Sequence, residues 1–240
     1  MPALQVTSLS KHFGQKRVIN KLSFAVEVGE VFGLIGPNGA GKTTTLRTVA
    51  TLLQIESGQV NILGYELPKD AAQVRQIISY LPEDAGAYRQ MRGREYLEFV
   101  ARFFARQGKP EALVQRGIAI AELGEAINDK VETYSKGMMR KLLVGRALMA
   151  QPQLAILDEP SSGLDVINAR EVRRIITEAA RDGMTVLLSS HNMLEVELVC
   201  QRVALINDGH IVATGTPAEL KSQYRADNIE EVFTQVVHAR

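Results

Sequence analysis

The sequence has one cysteine, Cys200, and no long hydrophobic run. A single cysteine excludes an intrachain disulfide and a cysteine-rich zinc cluster, and it fits a reducing compartment. The N-terminus lacks a basic start followed by an apolar stretch, so we expect no secretory signal peptide. The densest apolar runs of the whole sequence, 31–36 and 186–188, are far shorter than the roughly 18 to 20 residues that a membrane helix needs. We therefore expect that the chain does not span a membrane.

Neither sign of charge dominates, because 28 Lys and Arg stand against 27 Asp and Glu, for a formal net charge of +1. A long basic run is also missing, so the sequence lacks the usual electrostatic footprint of nucleic-acid binding, and no nucleic-acid partner is predicted. Hydrophobic residues make up 45% of the 240 and charged residues 23%, which argues against disorder. This length suits one large domain or a domain with a lobe.

Short β-rich runs alternate with longer segments of helical period, which is typical of an α/β fold with a mainly parallel sheet covered by helices. Three runs, 31–35, 154–157 and 185–190, are apolar without alternation, as central parallel strands are. Further strands are predicted at 4–8, 24–28, 59–63, 77–81, 203–207 and 211–214.

Strand signals disappear between Arg94 and Ala150, where helical patterns are interrupted at 108–110 and at Gly124. We expect residues 94–150 to form a helical lobe inserted into the fold.

The remaining segments complete a single predicted domain over 1–240, with a core formed by 1–93 and 151–215. Thr216, followed by proline and an acidic first turn, predicts the start of a closing helix. A second amphipathic helix is expected from Asn228, so helices would occupy 216–240.

A glycine-rich segment directly after the predicted strand 31–35 matches the phosphate-binding pattern of Gly, four residues, then Gly-Lys-Thr. The nucleotide-binding residues predicted here are Gly36, Pro37, Asn38, Gly39, Ala40, Gly41, Lys42, Thr43 and Thr44. Backbone N–H groups of such a loop converge on an anion, and the following helix adds its positive end. We expect Lys42 to reach the β- and γ-phosphates and the Thr43 hydroxyl to hold Mg²⁺. A turn that binds nothing is the disfavoured alternative, since every required position is present.

Polar side chains also end two other predicted strands, at the sheet edge where the phosphate loop would lie. Asp158 is predicted to hold Mg²⁺ through water, and Glu159 to take a proton from, or polarise, an attacking water. By itself, a carboxylate at the end of a strand is as often a helix cap. The phosphate loop at the same sheet edge favours the functional interpretation. His191 would come near the γ-phosphate as a donor, although a lone histidine is more often structural.

In the order of these motifs, nearly the whole chain resembles the ATP-binding subunits of ATP-binding-cassette (ABC) transporters. The resemblance implies a P-loop ATPase core with a mainly parallel sheet, an N-terminal antiparallel β region and an inserted helical lobe. It also implies an ATPase that uses ATP and Mg²⁺, with a second ATPase subunit and separately encoded membrane-spanning subunits as partners. Such a subunit is peripheral at the cytoplasmic face of the cell membrane and soluble when isolated.

Individual roles follow from the same resemblance. Phe13 falls where the family stacks an aromatic ring on adenine, a core-packing aromatic being the alternative. Ser135 and Gly137, in Tyr-Ser-Lys-Gly-Met, occupy the signature motif and would bind the γ-phosphate of ATP held by the opposite subunit. The loop 161–165 resembles the connection between the two active sites, and His191 resembles the switch histidine.

Two positions depart from the family pattern. Lys136-Gly137-Met138 replaces the usual Gly-Gly-Gln, which adds a positive charge near the phosphates. Glu83 replaces a glutamine, so it can coordinate Mg²⁺ through an oxygen but cannot donate a hydrogen bond. The stretch 83–96 is expected to receive the membrane subunit, the alternative being a solvated arginine-rich turn.

Among ABC proteins, the sequence looks most like the ATPase subunits of type-2 exporters, with a solute importer as the nearest rival. A soluble ABC ATPase acting on nucleic acid or ribosomes is a second class, but one cassette without an inserted arm disfavours it. A lone P-loop kinase or GTPase would leave the signature segment and His191 without a role. An inactive ATP sensor is disfavoured by the intact Lys42, Asp158, Glu159 and His191.

Overall fold

The computed structural model describes residues 1–104 and 110–238. Its strands are β1 (Leu4–Phe13), β2 (Lys16–Val26), β3 (Val31–Ile35), β4 (Ser57–Ile62), β5 (Tyr65–Leu67), β6 (Ile78–Leu81), β7 (Leu154–Asp158), β8 (Thr185–Ser190), β9 (Arg202–Asn207) and β10 (His210–Gly215). Its α-helices are α1 (Lys42–Val49), α2 (Ala71–Ile77), α3 (Gly93–Phe104), α4 (Pro110–Ala121), α5 (Lys136–Leu148), α6 (Val166–Arg181), α7 (Met193–Val196), α8 (Pro217–Tyr224) and α9 (Ile229–His238).

A six-stranded sheet in the order β10-β9-β3-β8-β7-β6 forms the centre of the molecule. Every neighbouring pair is parallel except β9 with β10, which confirms the predicted α/β class with a mainly parallel sheet. All residues of β3, β7 and β8 are buried, as their unbroken apolar sequences require.

The N-terminal antiparallel region is a separate four-stranded sheet in the order β2-β1-β4-β5. Several predicted bounds here were wrong. Strand β2 begins at Lys16 and ends at Val26, so Val28 is exposed and lies beyond it. Strand β5 was not predicted, since three residues are too short for an alternating pattern to show. On the central sheet, Ile77 belongs to α2 and the strand begins at Ile78.

Alternate residues of β3 contribute to two hydrophobic clusters on opposite faces of the central sheet. Val31 and Ile35 pack with residues of α3 to α6, whereas Phe32 and Leu34 pack with the antiparallel sheet and α1. The central sheet is therefore buried on both faces, and the loops at the carboxyl ends of its strands carry the polar residues of the candidate site.

Helices α3, α4 and α5 occupy most of the predicted lobe, and two 3₁₀ turns, Gly124–Asn128 and Val131–Thr133, lie between α4 and α5. Part of the predicted break at 108–110 lies outside the described residues. The division into a core, 1–93 and 151–215, and a lobe, 94–150, remains a prediction.

The C-terminal helices begin as their sequence signals predict. The Thr216 hydroxyl accepts from the Glu219 N–H, and the Glu219 carboxylate accepts from the Thr216 N–H, a reciprocal capping box that starts α8. Helix α9 follows from Ile229. Among the described residues, every helix is too short or too polar to cross a bilayer.

Candidate functional site

The phosphate loop connects β3 to α1, as predicted. A Cβ at position 36 would lie 2.1 Å from the Ile206 carbonyl oxygen, so only glycine allows the loop to leave β3 along this path. Helix α1 begins at Lys42, and the first N–H groups of a helix have no acceptor within it. These free donors and the positive end of α1 suit a phosphate group.

Lys42 is only 6% exposed, and its ammonium is held inside the loop. Its Nζ donates to the carbonyl oxygens of Gly36 at 2.7 Å and Pro37 at 3.2 Å, and lies 3.4 Å from Glu159 Oε1. A buried cation next to a phosphate-binding loop needs an anionic partner, and within the described residues Glu159 provides that charge.

Asp158, the last residue of β7, is fully buried and accepts hydrogen bonds from three hydroxyl groups. Its Oδ1 accepts from Thr43 Oγ1 at 3.2 Å and from Ser189 Oγ at 2.6 Å. The other carboxylate oxygen, Oδ2, accepts from the Tyr80 hydroxyl at 3.2 Å. Burial raises the pKa of Tyr80 to about 12, so the phenol keeps its proton and donates.

The Thr43 and Asp158 pair fits Mg²⁺ because both groups present oxygen atoms, the ligands this ion prefers. Proteins usually hold Mg²⁺ with one or two carboxylates and with phosphates of the substrate. In the described part of the chain, no group of three or more His, Cys, Asp or Glu side chains is placed to hold a metal ion by itself.

Glu159 lies between Lys42 and His191, with a left-handed backbone conformation at φ 48°. Its Oε2 is 2.8 Å from His191 Nδ1, and its backbone N–H donates to Ser189. The Oε1 atom is buried and accepts no hydrogen bond from any residue that the structure describes. A donor such as a bound water would stabilise this oxygen, because a buried unsatisfied carboxylate oxygen is costly.

A cleft of about 210 Å³ lies between the phosphate loop and Glu159. Its lining residues are Lys16, Val18, Asn38, Gly39, Gly41, Lys42, Thr43, Thr44, Glu83 and Glu159. Most of these residues were predicted from the sequence, but Lys16 and Val18 were not, because they lie on β2 and belong to no motif. His191 lines a second cleft of about 210 Å³ that shares Glu159 with the first and includes residues 161–164.

Glu83 is hydrogen-bonded to the loop that follows β7 and to helix α5. Its Oε1 accepts from Ser162 Oγ at 3.3 Å, and its backbone carbonyl accepts from Arg140 Nη2 at 2.9 Å. Arg140, on α5, also donates to the Pro82 carbonyl at 3.4 Å. Burial lowers the pKa of this guanidinium. Arg140 could not be predicted from the sequence, because it belongs to no short motif and its partner lies 57 residues away along the chain.

Phe13 ends β1 and is 50% exposed, so the alternative of a core-packing aromatic does not fit. Its strand partner is Lys16, which lines the nucleotide cleft, while Lys11 Nζ lies 5.8 Å from the centre of its ring. An open aromatic face at this edge is available for stacking.

Ser135 and Gly137 lie apart from the phosphate loop of their own chain, since neither lines the cleft around Lys42. The Ser135 hydroxyl caps α5 by accepting from the Met138 N–H at 3.2 Å. At Gly137, a Cβ would lie 2.1 Å from Asn168 Oδ1, so the side chain of Asn168, on α6, would have to move to admit any larger residue. The Lys136 ammonium lies against Gly163, 2.1 Å from where a Cβ would stand.

Comparison with known proteins gives one family. A family model described as "ABC transporter" matches residues 19–162. The linearmycin resistance ATP-binding protein LnrL of Bacillus subtilis is 35% identical over 94% of this chain and 73% of its own length. The Nod factor export ATP-binding protein I of Rhizobium etli is 34% identical over 97% of this chain and 74% of its own length.

The solved structures show the same fold. One described as the ATP-binding subunit of an ABC transporter has a TM-score of 0.86 at 27% identity and covers 98% of this chain and 99% of its own. Another, a nucleotide-free ATP-binding cassette from an ABC transporter, has a TM-score of 0.81 at 22% identity, covering 97% of this chain and 99% of its own.

Proposed function

Since the chain belongs to the ABC transporter family and is an ATP-binding, ATP-hydrolysing subunit of that family, we propose that it powers export as a head-to-tail dimer beneath separate membrane-spanning subunits. The observation that carries this proposal is one cluster, in which Lys42 and His191 both contact Glu159 and Thr43 contacts Asp158. Export is supported by two relatives, one named for linearmycin resistance and one for Nod factor export. We place the subunit at the cytoplasmic face of the membrane as a peripheral protein.

At the proposed site, Lys42 exchanges its carbonyl acceptors for the β- and γ-phosphates of ATP, to which an ammonium binds more strongly. Phe13 stacks on the adenine. Thr43 and Asp158 would hold Mg²⁺, with Glu83 as a further oxygen ligand, and the ion would neutralise charge on the phosphates when bound.

Hydrolysis at this site depends on Glu159. Its buried Oε1 makes no hydrogen bond to any described residue and lies 3.4 Å from the Lys42 ammonium, so when that ammonium turns to the phosphates this oxygen can accept a proton from an attacking water. His191 orients the carboxylate through Oε2 and, being exposed on its other side, donates to the γ-phosphate.

The signature residues act on the partner's ATP in this proposal. Ser135 is exposed at the N-terminus of α5, away from its own phosphate loop, so its hydroxyl is available to a second subunit. Gly137 is buried two residues further on, and its N–H belongs to the first turn of α5, where N–H groups have no acceptor within the helix. Lys136 adds a positive charge beside them. The arrangement needs two chains in opposite orientations, because one chain does not bring the two halves of the site together.

A groove beside α3 supports docking on membrane-spanning subunits. Its volume is about 390 Å³, and it is lined by residues 86–88, Tyr96, Phe99, Val100 and Arg146. Tyr88 and Phe99 meet edge to face, with ring centres 5.4 Å apart, and leave an aromatic wall. The Arg146 Nε is buried without a hydrogen-bond acceptor among the described residues. Such a groove suits an amphipathic helix that carries one acceptor group.

The nucleotide assignment is tested with Lys42→Ala, measured by calorimetry with MgATP. The substitution removes the charge that neutralises the phosphates, so we expect the wild type to bind MgATP and the variant to lose tight binding. Lys69→Ala removes an exposed lysine elsewhere and serves as a control that should bind like the wild type. Equal MgATP affinity in Lys42→Ala and wild type would overturn the assignment of this loop.

A further inference from the structure

Asp158 receives a hydrogen bond from each of the two strands beside it. Ser189, on β8, is its register partner, and its hydroxyl donates to Oδ1 at 2.6 Å. Tyr80, on β6, pairs with Ile156 of β7, two residues earlier, and its hydroxyl donates to Oδ2 at 3.2 Å. The carboxylate is therefore held from both sides within the sheet.

We propose that Tyr80 is a positioning residue that orients Asp158 for Mg²⁺. This inference rests on the proposed function, in which Asp158 and Thr43 hold the ion. Thr43 and Ser189 both donate to Oδ1, whereas Tyr80 is the donor that the described residues provide for Oδ2. With one oxygen anchored on each side, rotation of the carboxylate about its Cβ–Cγ bond is restricted. Removing the Tyr80 hydroxyl would free that rotation.

The phenol is itself held in place. Arg47, on the helix that follows the phosphate loop, lies close enough to the Tyr80 phenol for that group to raise the pKa of its guanidinium. Tyr80 thus joins α1 to the end of β7, the two elements that supply Thr43 and Asp158. Its hydroxyl does not contribute to the cleft around Lys42, so it acts through Asp158 and not on the nucleotide.

The decisive variant is Tyr80→Phe, which keeps the ring and removes one oxygen. Binding of a fluorescent ATP analogue is measured in EDTA and then over a titration of Mg²⁺. We expect wild-type affinity in EDTA and a roughly 10-fold higher Mg²⁺ concentration for half-maximal effect, the usual result of losing a hydrogen bond to a metal ligand. A merely structural role would weaken binding in EDTA as well.

The matched control is Ser79→Ala, on the same strand. The Ser79 hydroxyl is buried and makes no hydrogen bond to any described residue, so its loss removes a buried oxygen without touching Asp158. This variant should titrate with Mg²⁺ like the wild type. Arg47→Met leaves the hydroxyl in place but loosens the phenol from its other side, and should raise the Mg²⁺ requirement in the same direction. It decides the question if Tyr80→Phe does not fold.

Failure of this inference and failure of the proposed function give different results. If the wild type bound the ATP analogue without any effect of Mg²⁺, the proposed site would be wrong. If the wild type responded to Mg²⁺ and folded Tyr80→Phe gave the same titration, only the role of Tyr80 would be overturned. Equal loss of affinity with and without Mg²⁺ would overturn it too.

Discussion

At the scale of single residues, Glu159 combines a buried carboxylate with a left-handed backbone and two polar neighbours. Its carboxylate is 4% exposed, its backbone is left-handed at φ 48°, and its two oxygens face different cations or donors. Lys42 lies 3.4 Å from one oxygen and His191 Nδ1 lies 2.8 Å from the other. A residue under this constraint does not contribute to a hydrophobic core, and its position next to the phosphate loop fits a role in catalysis.

We predict that Glu159→Gln keeps ATP binding and slows hydrolysis by roughly 10²- to 10⁴-fold, the usual contribution of a positioned proton acceptor. The amide preserves the shape of the side chain and loses the base. Turnover at saturating MgATP measures the effect, and calorimetry checks binding. Glu66→Gln makes the same change on an exposed strand and should leave turnover unchanged. Turnover of Glu159→Gln within about twofold of wild type would exclude this carboxylate as the base.

Sequence alone identified the residues whose neighbours in the chain define them. The spacing of glycine, lysine and threonine predicts the loop 36–43. Asp158 and His191 are predicted because each follows an apolar strand. Tyr80 and Arg140 could not be predicted in this way. Tyr80 meets Asp158 across 78 residues of chain, and only the register of β6 against β7 brings them together.

At the scale of elements, burial decided which strands were predicted well. Strands β3 and β8 are buried along their whole length and have the predicted bounds. Strand β2 lies at the edge of the antiparallel sheet, and its first half is mostly polar, so its start at Lys16 carried no hydrophobic signal. Pairing with β1 overrides the weak local preference there.

At the same scale, we predict that the segment from Tyr88 into α3 contacts a membrane-spanning subunit. With cysteines at Tyr88 and Arg92, we expect cross-links to a co-expressed membrane-spanning subunit, because Tyr88 lines the aromatic groove and Arg92 lies just before α3. The native Cys200 is buried and should not react. Electrophoresis without reductant detects the cross-linked pair.

The control for this experiment is Tyr65→Cys, an exposed tyrosine on strand β5 of the antiparallel sheet. It should give no cross-link to the membrane-spanning subunit. If Tyr65→Cys reacted and the cysteines at Tyr88 and Arg92 did not, docking would lie on another surface. The arginine-rich stretch would then be an ordinary solvated turn.

At the scale of the whole molecule, the two halves of the proposed site lie on different surfaces of one chain. We predict that Ser135→Arg leaves ATP binding by the monomer close to wild type but abolishes ATP-driven dimerisation and hydrolysis. A large cation at the N-terminus of α5 would occupy the space of the partner's γ-phosphate. Gel filtration with ATP and steady-state turnover measure the two effects. Wild-type turnover by this variant would overturn the dimer.

Mixing Ser135→Arg with Lys42→Ala subunits sharpens that test. A heterodimer of the two has one site with an intact loop and an intact signature, and a second site with both defects. Activity that neither variant shows alone should therefore return in part. The baseline is the turnover of each variant measured alone at the same total protein concentration. Turnover of the mixture no higher than this baseline would mean that one intact site is insufficient.

Arg140 connects the backbone of residues 82 and 83 to helix α5. Arg140 belongs to α5, which begins just after Ser135, while the segment it holds runs from Glu83, in the cleft beside Lys42, to residues 86–88, which line the groove beside α3. Three surfaces therefore share one buried guanidinium. In the proposed transporter, a displacement of this segment would therefore act on α5 and on the groove at 86–88 together.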